Sequence, residues 1–372
     1  MSAIDPVDAL FGGMGKLGPG SNSDSLHVLG LLPKTRFSVI VDAGCGTGRQ
    51  TLALAKELGT PIQAIDSYEP FLIHLKQRAK EMGVQAFVQV ANGDDNLQIK
   101  QAENLLTQGV DVLIVAPHNG EIAASIVEAA HRQGVPVISY DRLIKNSDVD
   151  LYVSHQVVKI GEMQAQYLLD HVNKKPANFV IVGGSPTDNN ALLLHQGQMN
   201  VLKPAIDRGD IKIVTDQYAK EWQASAALNI VENALTQSNN QVDAVVASND
   251  GTARGAVQAL EGQNLAGKVL VSGQDADLAS LILIVQGKQT MTIYKPIQPL
   301  AYIAVDSAIK LARGEKVDAK DTIDNGAKKV PAVLLEPIAV DKTNMISTVV
   351  KDGYQTLEKI CANIPADKCP KQ

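Results

Sequence analysis

The feature that most constrains the fold is a regular alternation of short β-branched runs with longer helical stretches. Ten runs fit buried strands, at residues 38–43, 62–66, 86–91, 111–116, 135–141, 179–183, 211–217, 244–248, 269–273 and 291–295. Helical segments lie among them, for example at 50–58, 70–82, 97–108 and 122–133. Strands that alternate with helices form parallel sheets with helices on both faces. The pattern therefore predicts an α/β protein with doubly wound parallel sheets.

Length and composition narrow the classes of function. A chain of 372 residues is long for one core and favours two domains. The net charge of −6, without a basic run, argues against a nucleic acid partner. The chain lacks an apolar run of about 20 residues, which predicts no membrane insertion. The N-terminus carries no signal segment, so we expect the chain as written to stay in the cytoplasm.

The cysteines and histidines predict no metal site. None of the seven histidines has a partner at the spacing that metal ligands adopt. Cys361 and Cys369 either pair in an oxidising compartment or remain free thiols, and the sequence leaves both open. Neither a nucleophile with its base nor a general base can be assigned by spacing, so we expect a protein that is not an enzyme.

Polar residues follow five of the predicted strands in the later part of the chain. In open parallel sheets, ligands bind beyond the carboxyl ends of the strands. Each polar group alone could instead cap a helix or make a turn. Their recurrence favours a shared polar cleft, built by Asp141-Arg142, residues 185–190, Asn249-Asp250, Gln274-Asp275 and Lys295.

From about residue 85 onward, the chain resembles the bacterial D-xylose-binding proteins of ABC transporters. The segments that carry the resemblance are FVQVANGDDNLQIKQAENLLTQGVDVLIVAPHNG, VPVISYDRLI, VGGSPTDNNA, VVASNDGTARGAVQAL, SGQDADLA and TMTIYKPI. The resemblance implies two α/β lobes of the type I periplasmic-binding-protein kind, joined by three crossovers near 152–155, 293–296 and 332–337. It also implies a monosaccharide ligand, no required cofactor and, for the family, a periplasmic location and a membrane permease as partner.

The resemblance implies which residues bind the sugar. Sugar hydroxyls donate and accept hydrogen bonds, which suits Asp, Asn, Arg and Lys, and an aromatic ring can cover the apolar face of a pyranose. Trp222 is the aromatic candidate, with Tyr218 as its alternative and an ordinary anchoring role left open. The implied polar contacts are Asp141, Arg142, Asn189, Asn249, Asp275 and Lys295.

Two departures from the family pattern predict weakened or lost sugar binding. The acidic loop with Arg and Trp that follows the family's first strand has no counterpart here. At the first crossover, two positions expected to face the ligand are replaced, one of them by Val157. A missing hydrogen-bond partner in a buried site costs about 1–3 kcal/mol.

Residues 1–84 resemble a different family. The segments VIVDAGCGTGRQTLALAKELG and IQAIDSYEPFL are similar to the opening of a class I S-adenosylmethionine-dependent methyltransferase. Glycines after a strand let a cofactor approach the backbone, and an acid after the next strand can accept from ribose hydroxyls. S-adenosylmethionine is therefore the one candidate cofactor, and its implied contacts are Asp42, Gly44, Gly46, Gly48, Asp66 and Asp95.

Together the two resemblances predict an engineered chimera. Its first lobe would combine 1–153 with 295–333, of which 1–84 is a Rossmann-like methyltransferase fragment that completes the lobe and 85–153 is the sugar-binding part. Its second lobe would combine 154–294 with 334–372. The front strands would form one continuous sheet, in which 86–91, 62–66, 38–43, 111–116 and 135–141 are neighbours in that order.

Three hypotheses for function follow. The first is a non-enzymatic scaffold that binds a D-xylose-like sugar with weakened or lost affinity. The second is binding of S-adenosylmethionine at the glycine loop without methyl transfer. The third is a purely structural chimera that binds neither ligand.

Overall fold

A computed structural model describes residues 40–43, 62–65, 86–87, 89 and 91–370 of the chain. In chain order its strands and α-helices are β1 (Ile40–Ala43), β2 (Ile62–Ile65), β3 (Ala86–Phe87), α1 (Asp95–Thr107), β4 (Leu113–Val115), α2 (Ala124–His131), β5 (Val137–Tyr140), β6 (Leu151–His155), α3 (Val157–His171), β7 (Ala177–Gly183), α4 (Asn189–Asp207), β8 (Ile211–Tyr218), α5 (Ala224–Gln237), β9 (Ala244–Ala247), α6 (Asp250–Gly262), β10 (Leu270–Val271), α7 (Leu278–Val285), β11 (Thr292–Tyr294), α8 (Ile297–Ala312), β12 (Asp321–Asp324), β13 (Lys329–Leu335), β14 (Ile338–Val340) and α9 (Leu357–Cys361). A short 3-10 helix occupies Lys220–Trp222, and a π-helical turn occupies Ile346–Val350.

The chain divides into two compact units. The first combines Met1–Val153 with Ile297–Val333, and the second combines Ser154–Pro296 with Leu334–Gln372. The chain therefore passes from one unit to the other three times. In the part that the structure describes, no helix is both long and apolar enough to span a membrane.

The first unit contains two groups of strands. Strands β1, β2 and β3 form a parallel sheet in that order, and a second sheet has the order β12-β13-β6-β5-β4. The expected pairing of β2 with β3 is present. The expected single front sheet is not, because β4 is the edge strand of the second sheet among the described residues. Helix α8 contacts β1 as well as β4 and β5, so it links the two groups.

The second unit is built on a four-stranded parallel sheet with the order β10-β9-β7-β8. Strand β9 is buried along its whole length, and six of the seven residues of β7 are buried. Such continuous apolar runs are typical of parallel strands that helices cover on both faces. Two hydrophobic clusters flank the sheet, one involving α5 and α6 and the other α3 and α4.

Helices α3 and α4 approach each other backbone to backbone. A Cβ atom on Gly161 would lie 2.1 Å from the carbonyl oxygen of Leu194, and one on Gly197 would lie 1.9 Å from that of Val158. Real Cβ atoms essentially never come this close to another atom, so only glycine permits this contact at both positions. The pair is thereby fixed in position on one face of the second unit.

The C-terminal segment packs on the same unit. Strand β14 pairs antiparallel with β11, and Ile360 is fully buried in a cluster that includes Leu281 of α7. Cys361 and Cys369 form a disulfide with 5.9 Å between their Cα atoms. Of the two alternatives left open by the sequence, the structure has the paired one.

Candidate functional site

The strand ends of the second unit bring two of the expected sugar contacts, Asp275 and Lys295, together as an ion pair. Asp275 follows β10, and its carboxylate lies 3.2 Å from the ammonium of Lys295, which follows β11. The Lys295 side chain is only 17% exposed. The Asp275 N–H donates to the carbonyl of Ile293 at 2.8 Å, which joins the two strand ends. An ion pair in this position offers a sugar both acceptors and donors.

Asn249 lies at the end of β9 and caps α6. Its side-chain oxygen accepts from the backbone N–H and the hydroxyl of Thr252, each at 2.9 Å, while the Thr252 hydroxyl lies 3.1 Å from the Asn249 N–H. This reciprocal arrangement is a capping box, which satisfies backbone donors at the start of a helix. Asn249 therefore has a structural role, and its amide group still lies at the polar strand ends.

Trp222 is held beside the start of α4. Its indole N–H donates to the carboxylate of Asp188 at 3.2 Å, and Asp188 also caps the helix by accepting from the N–H of Asn190 at 2.9 Å. The indole lies against the backbone of Gly184, where an added Cβ would be 2.1 Å from the ring. Asn189 is buried at the first position of α4.

The backbone at Trp222 is strained. Glu221 and Trp222 have positive φ angles of 51° and 58°, and neither is a glycine. Such conformations cost of order 1–3 kcal/mol each and persist where the surrounding structure determines them. The surroundings therefore hold Trp222 in this conformation, and its binding role stays a prediction. Tyr218, the alternative aromatic, packs against Gly183 and the ring of His195.

In the first unit, Asp141 and Arg142 line a cavity of about 510 Å³ next to the end of β5. Asp141 has a φ of 57°, and its backbone is fixed by an N–H bond to Val153 and by the hydroxyl of Tyr152. The Arg142 guanidinium donates to the carbonyl of His118 at 3.4 Å. The cavity wall includes apolar atoms of β4 as well as these polar groups.

Only two of the six candidate cofactor contacts belong to the described residues. Asp42 lies in β1, while Gly44, Gly46, Gly48 and Asp66 lie outside the described residues. Asp95 begins α1, and its carboxylate lies 2.8 Å from a ring nitrogen of His118. Of these six residues the structure describes only Asp42 and Asp95, and Asp95 has a local partner in His118.

Burial is the main cause of the raised pKa values of two groups that interact with Asp275. The pKa of the Asp250 carboxyl is raised well above its usual range, first by complete burial and then by the nearby charges of Asp275 and Asp277. Burial, with the charge of Asp275, raises the pKa of the Tyr354 phenol to about 12. The described residues contain no group of three or more His, Cys, Asp or Glu that could hold a metal ion.

Val157 does not face a ligand site as the sequence suggested. It begins α3 and is buried in an apolar cluster with Ile160, Leu194 and Ile293. The neighbouring polar side chains of Gln156 and Lys159 both bond to Glu336. A polar residue at position 157 would be poorly accommodated in this cluster, so the replacement does not indicate a damaged site.

Comparison with known proteins agrees with this arrangement. A family model described as a periplasmic binding protein domain matches residues 63–316. The chain belongs to this periplasmic binding protein family. The D-xylose-binding periplasmic protein of Haemophilus influenzae is 53% identical over 283 residues, which cover 76% of this chain and 85% of the relative. That of Escherichia coli is 50% identical over 278 residues, which cover 75% and 84%.

Solved structures of solute-binding proteins share the fold. A carbohydrate transporter solute-binding protein from Chloroflexus aurantiacus, in complex with D-glucose, gives a TM-score of 0.72 at 28% identity, covering 88% of this chain and 98% of that chain. One from Clostridium phytofermentans with bound β-D-glucose gives 0.71 at 29% identity, covering 81% and 99%. As a member of this family, the protein is a solute-binding protein and not an enzyme.

These findings correct several expectations. The hypothesis of an engineered chimera with weakened or lost sugar binding is wrong, because a chain 53% identical to a D-xylose-binding protein over most of its length is a member of that family in its own right. The purely structural alternative is wrong for the same reason, and neither S-adenosylmethionine binding nor a methyltransferase fragment is supported by these matches. The named relatives are periplasmic, so the expected cytoplasmic location is also unsupported.

Proposed function

We propose that this periplasmic binding protein binds D-xylose, or a monosaccharide closely similar to it, in the periplasm and delivers it to the membrane permease of an ABC transporter. The observation that carries the proposal is the polar network at the strand ends of the second unit. It contains the ion pair between Asp275 and Lys295. The N–H of Asp250, the residue after Asn249, donates to the carbonyl of Gln274, the residue before Asp275. The names of the two relatives at 50% identity or more support the choice of sugar.

Each proposed contact has a chemical role. The Asp275 carboxylate accepts from sugar hydroxyls, while Lys295 and the amide nitrogen of Asn249 donate to them. The Trp222 indole covers the apolar face of the ring. We include the buried amide of Asn189 as a further contact of the second unit. Asp141 and Arg142, which line a cavity of the first unit, remain predictions from the sequence. The methyltransferase resemblance of residues 1–84 forms no part of this function.

The test is calorimetric titration of the protein with D-xylose, D-ribose and D-glucose. We expect saturable binding that is tightest for D-xylose, and D-glucose is included because both described solved structures hold it. Trp222 is the only tryptophan in the chain, so its fluorescence should change with the same midpoint. Absence of heat and of a fluorescence change with all three sugars would refute the proposal.

A matched pair of lysine variants tests the site itself. Lys295→Met removes a donor from the network, and since a charge-assisted hydrogen bond contributes about 1.5–3 kcal/mol, affinity should fall at least about tenfold. Lys288→Met is the control, because Lys288 pairs with Glu261 at 2.6 Å on the surface of the same unit. Equal affinities of the two variants would place the sugar elsewhere.

A further inference from the structure

Asp250 is a fully buried carboxylate that no proposed sugar contact explains. It is the first residue of α6, and its side chain accepts three hydrogen bonds. Thr292 and Gln289 donate to Oδ1 at 2.8 and 3.1 Å, and the backbone N–H of Asp277 donates to Oδ2 at 2.9 Å. Asp277 lies in the segment after β10, Gln289 lies before β11, and Thr292 is the first residue of β11. Asp250 therefore gathers segments that are distant in sequence.

The hydrogen bonds of Asp250 bracket Asp275. On one side the Asp250 N–H donates to the carbonyl of Gln274 at 2.8 Å, and on the other its carboxylate holds the N–H of Asp277. Between these points, Asp275 and Ala276 have φ angles of 107° and 54°. Residues with side chains adopt such angles only where the surroundings fix them. The bracket is the part of the surroundings that fixes this turn.

The same carboxylate also holds the strand that carries Lys295. Thr292 begins β11, three residues before Lys295, and its hydroxyl donates to Asp250. The Thr292 oxygen in turn accepts from the N–H of Ala276 at 3.3 Å, so the turn and the strand meet at one point. One buried group is thus bonded to both segments, the turn that carries Asp275 and the strand that precedes Lys295.

An ordinary role at the start of a helix does not account for this arrangement. Asn249 already caps α6, and an acidic residue in the first turn can interact with the helix dipole while exposed to water. Complete burial of a carboxyl group is costly unless its hydrogen bonds are satisfied. Burial also raises the pKa of Asp250, as described above.

We propose that Asp250 is a positioning residue for sugar binding, which fixes the Asp275 carboxylate and the Lys295 ammonium at the spacing that the ligand requires. This role rests on the proposed function of the site. Asp250 acts through these two residues and is not itself a sugar contact.

The variant Asp250→Asn keeps the shape of the side chain, but its amide NH₂ replaces an oxygen that accepts hydrogen bonds. The NH₂ group then faces another donor, and that hydrogen bond is lost. We expect the dissociation constant for D-xylose to rise at least about tenfold, as one mispaired buried hydrogen bond implies. In the sugar-free protein, amide exchange at Asp277 should become faster. The control is Val231→Ala, a fully buried residue of α5, which should lower the melting temperature without changing either quantity.

A double-mutant comparison separates positioning from general destabilisation. In an Asp275→Asn background, Asp250→Asn should cost less further affinity than it does in the wild type, because the part of its effect that passes through Asp275 is already lost. If Asp250→Asn does not fold, Thr292→Val removes a single donor at similar volume and should show the same non-additivity.

The outcomes distinguish the two proposals. If the wild-type protein binds no sugar, the proposed function fails and the positioning role with it. If the wild type binds but Asp250→Asn binds equally well, only the positioning role is overturned. The positioning role is also overturned if the losses in the double variant are additive, or if exchange at Asp277 is unchanged while affinity falls.

Discussion

Substitution of Gly184 by alanine should displace the indole of Trp222. The φ angle of Gly184 lies outside the left-handed region, so alanine is compatible with the backbone and the change reports only on space. The new Cβ would lie 2.1, 2.2 and 2.4 Å from three ring atoms of Trp222. Real Cβ contacts are not shorter than 3.0 Å, so the ring must move by roughly 1 Å.

The size of the effect follows from that movement. Overpacking of this kind costs about 1–3 kcal/mol of unfolding free energy when the neighbours cannot yield. The indole bond to Asp188 is already 3.2 Å long, so a shift of this size takes it out of hydrogen-bonding range. If the indole covers the sugar ring, a loss of about 1.4 kcal/mol in binding corresponds to a tenfold weaker affinity.

Tryptophan fluorescence gives a direct assay, because Trp222 is the only tryptophan in the chain. In Gly184→Ala, we expect a shifted emission maximum, a lower melting temperature and about tenfold weaker D-xylose binding. Gly262→Ala is the control, since a Cβ at the end of α6 would meet no atom within 4 Å. An unchanged emission maximum together with unchanged affinity would refute the packing argument and the role of Trp222.

Three further outcomes are expected. Asn249→Ser should keep the helix cap while it weakens sugar binding, whereas Asn249→Ala should in addition lose about 1 kcal/mol of unfolding free energy in a urea titration. The carboxylate of Asp216 raises the pKa of His195, so the stability contributed by this pair is complete below the unfolded pKa of about 6.5 and is lost as pH rises through the higher folded pKa. The melting temperature of the wild type relative to His195→Gln should therefore fall as pH rises above about 6.5. Reduction of the disulfide between Cys361 and Cys369, which are eight residues apart, should lower the unfolding free energy by about 2 kcal/mol, and an unchanged urea midpoint would contradict this.

The sequence was sufficient to predict most of the described strands of both units. Every one of the ten runs overlaps a described strand, because each run is a short β-branched segment between turn residues, for example around β7 and β9. Strands β6 and β12 to β14 were harder to recognise because they lie near the crossovers, and β12 is largely exposed. The prediction that β1 to β5 form one continuous sheet was wrong. The βαβ pattern fixes the handedness of a connection but not which edge strands pair.

The candidate site was predictable where polar residues follow strands. Asp275 and Lys295 could be found this way because ligands of open α/β sheets bind beyond the carboxyl ends of the strands. Asp250 was seen only as part of a polar pair after β9, and its burial could not be read from the sequence, since an acidic residue at a helix start is ordinarily exposed. Val157 was misinterpreted because a family pattern gives positions but not the packing of this chain.

The contact between α3 and α4 limits how the second unit can respond to a ligand. With Gly161 and Gly197 each seated against the opposite backbone, neither helix can slide or rotate without the other. Helix α3 directly follows the first crossover, whereas α4 begins at Asn189 beside the Asp188 that holds Trp222. A displacement of α3 at the crossover should therefore move α4 and the Trp222 indole with it. A larger residue at Gly161 or Gly197 should separate the two helices and remove this coupling.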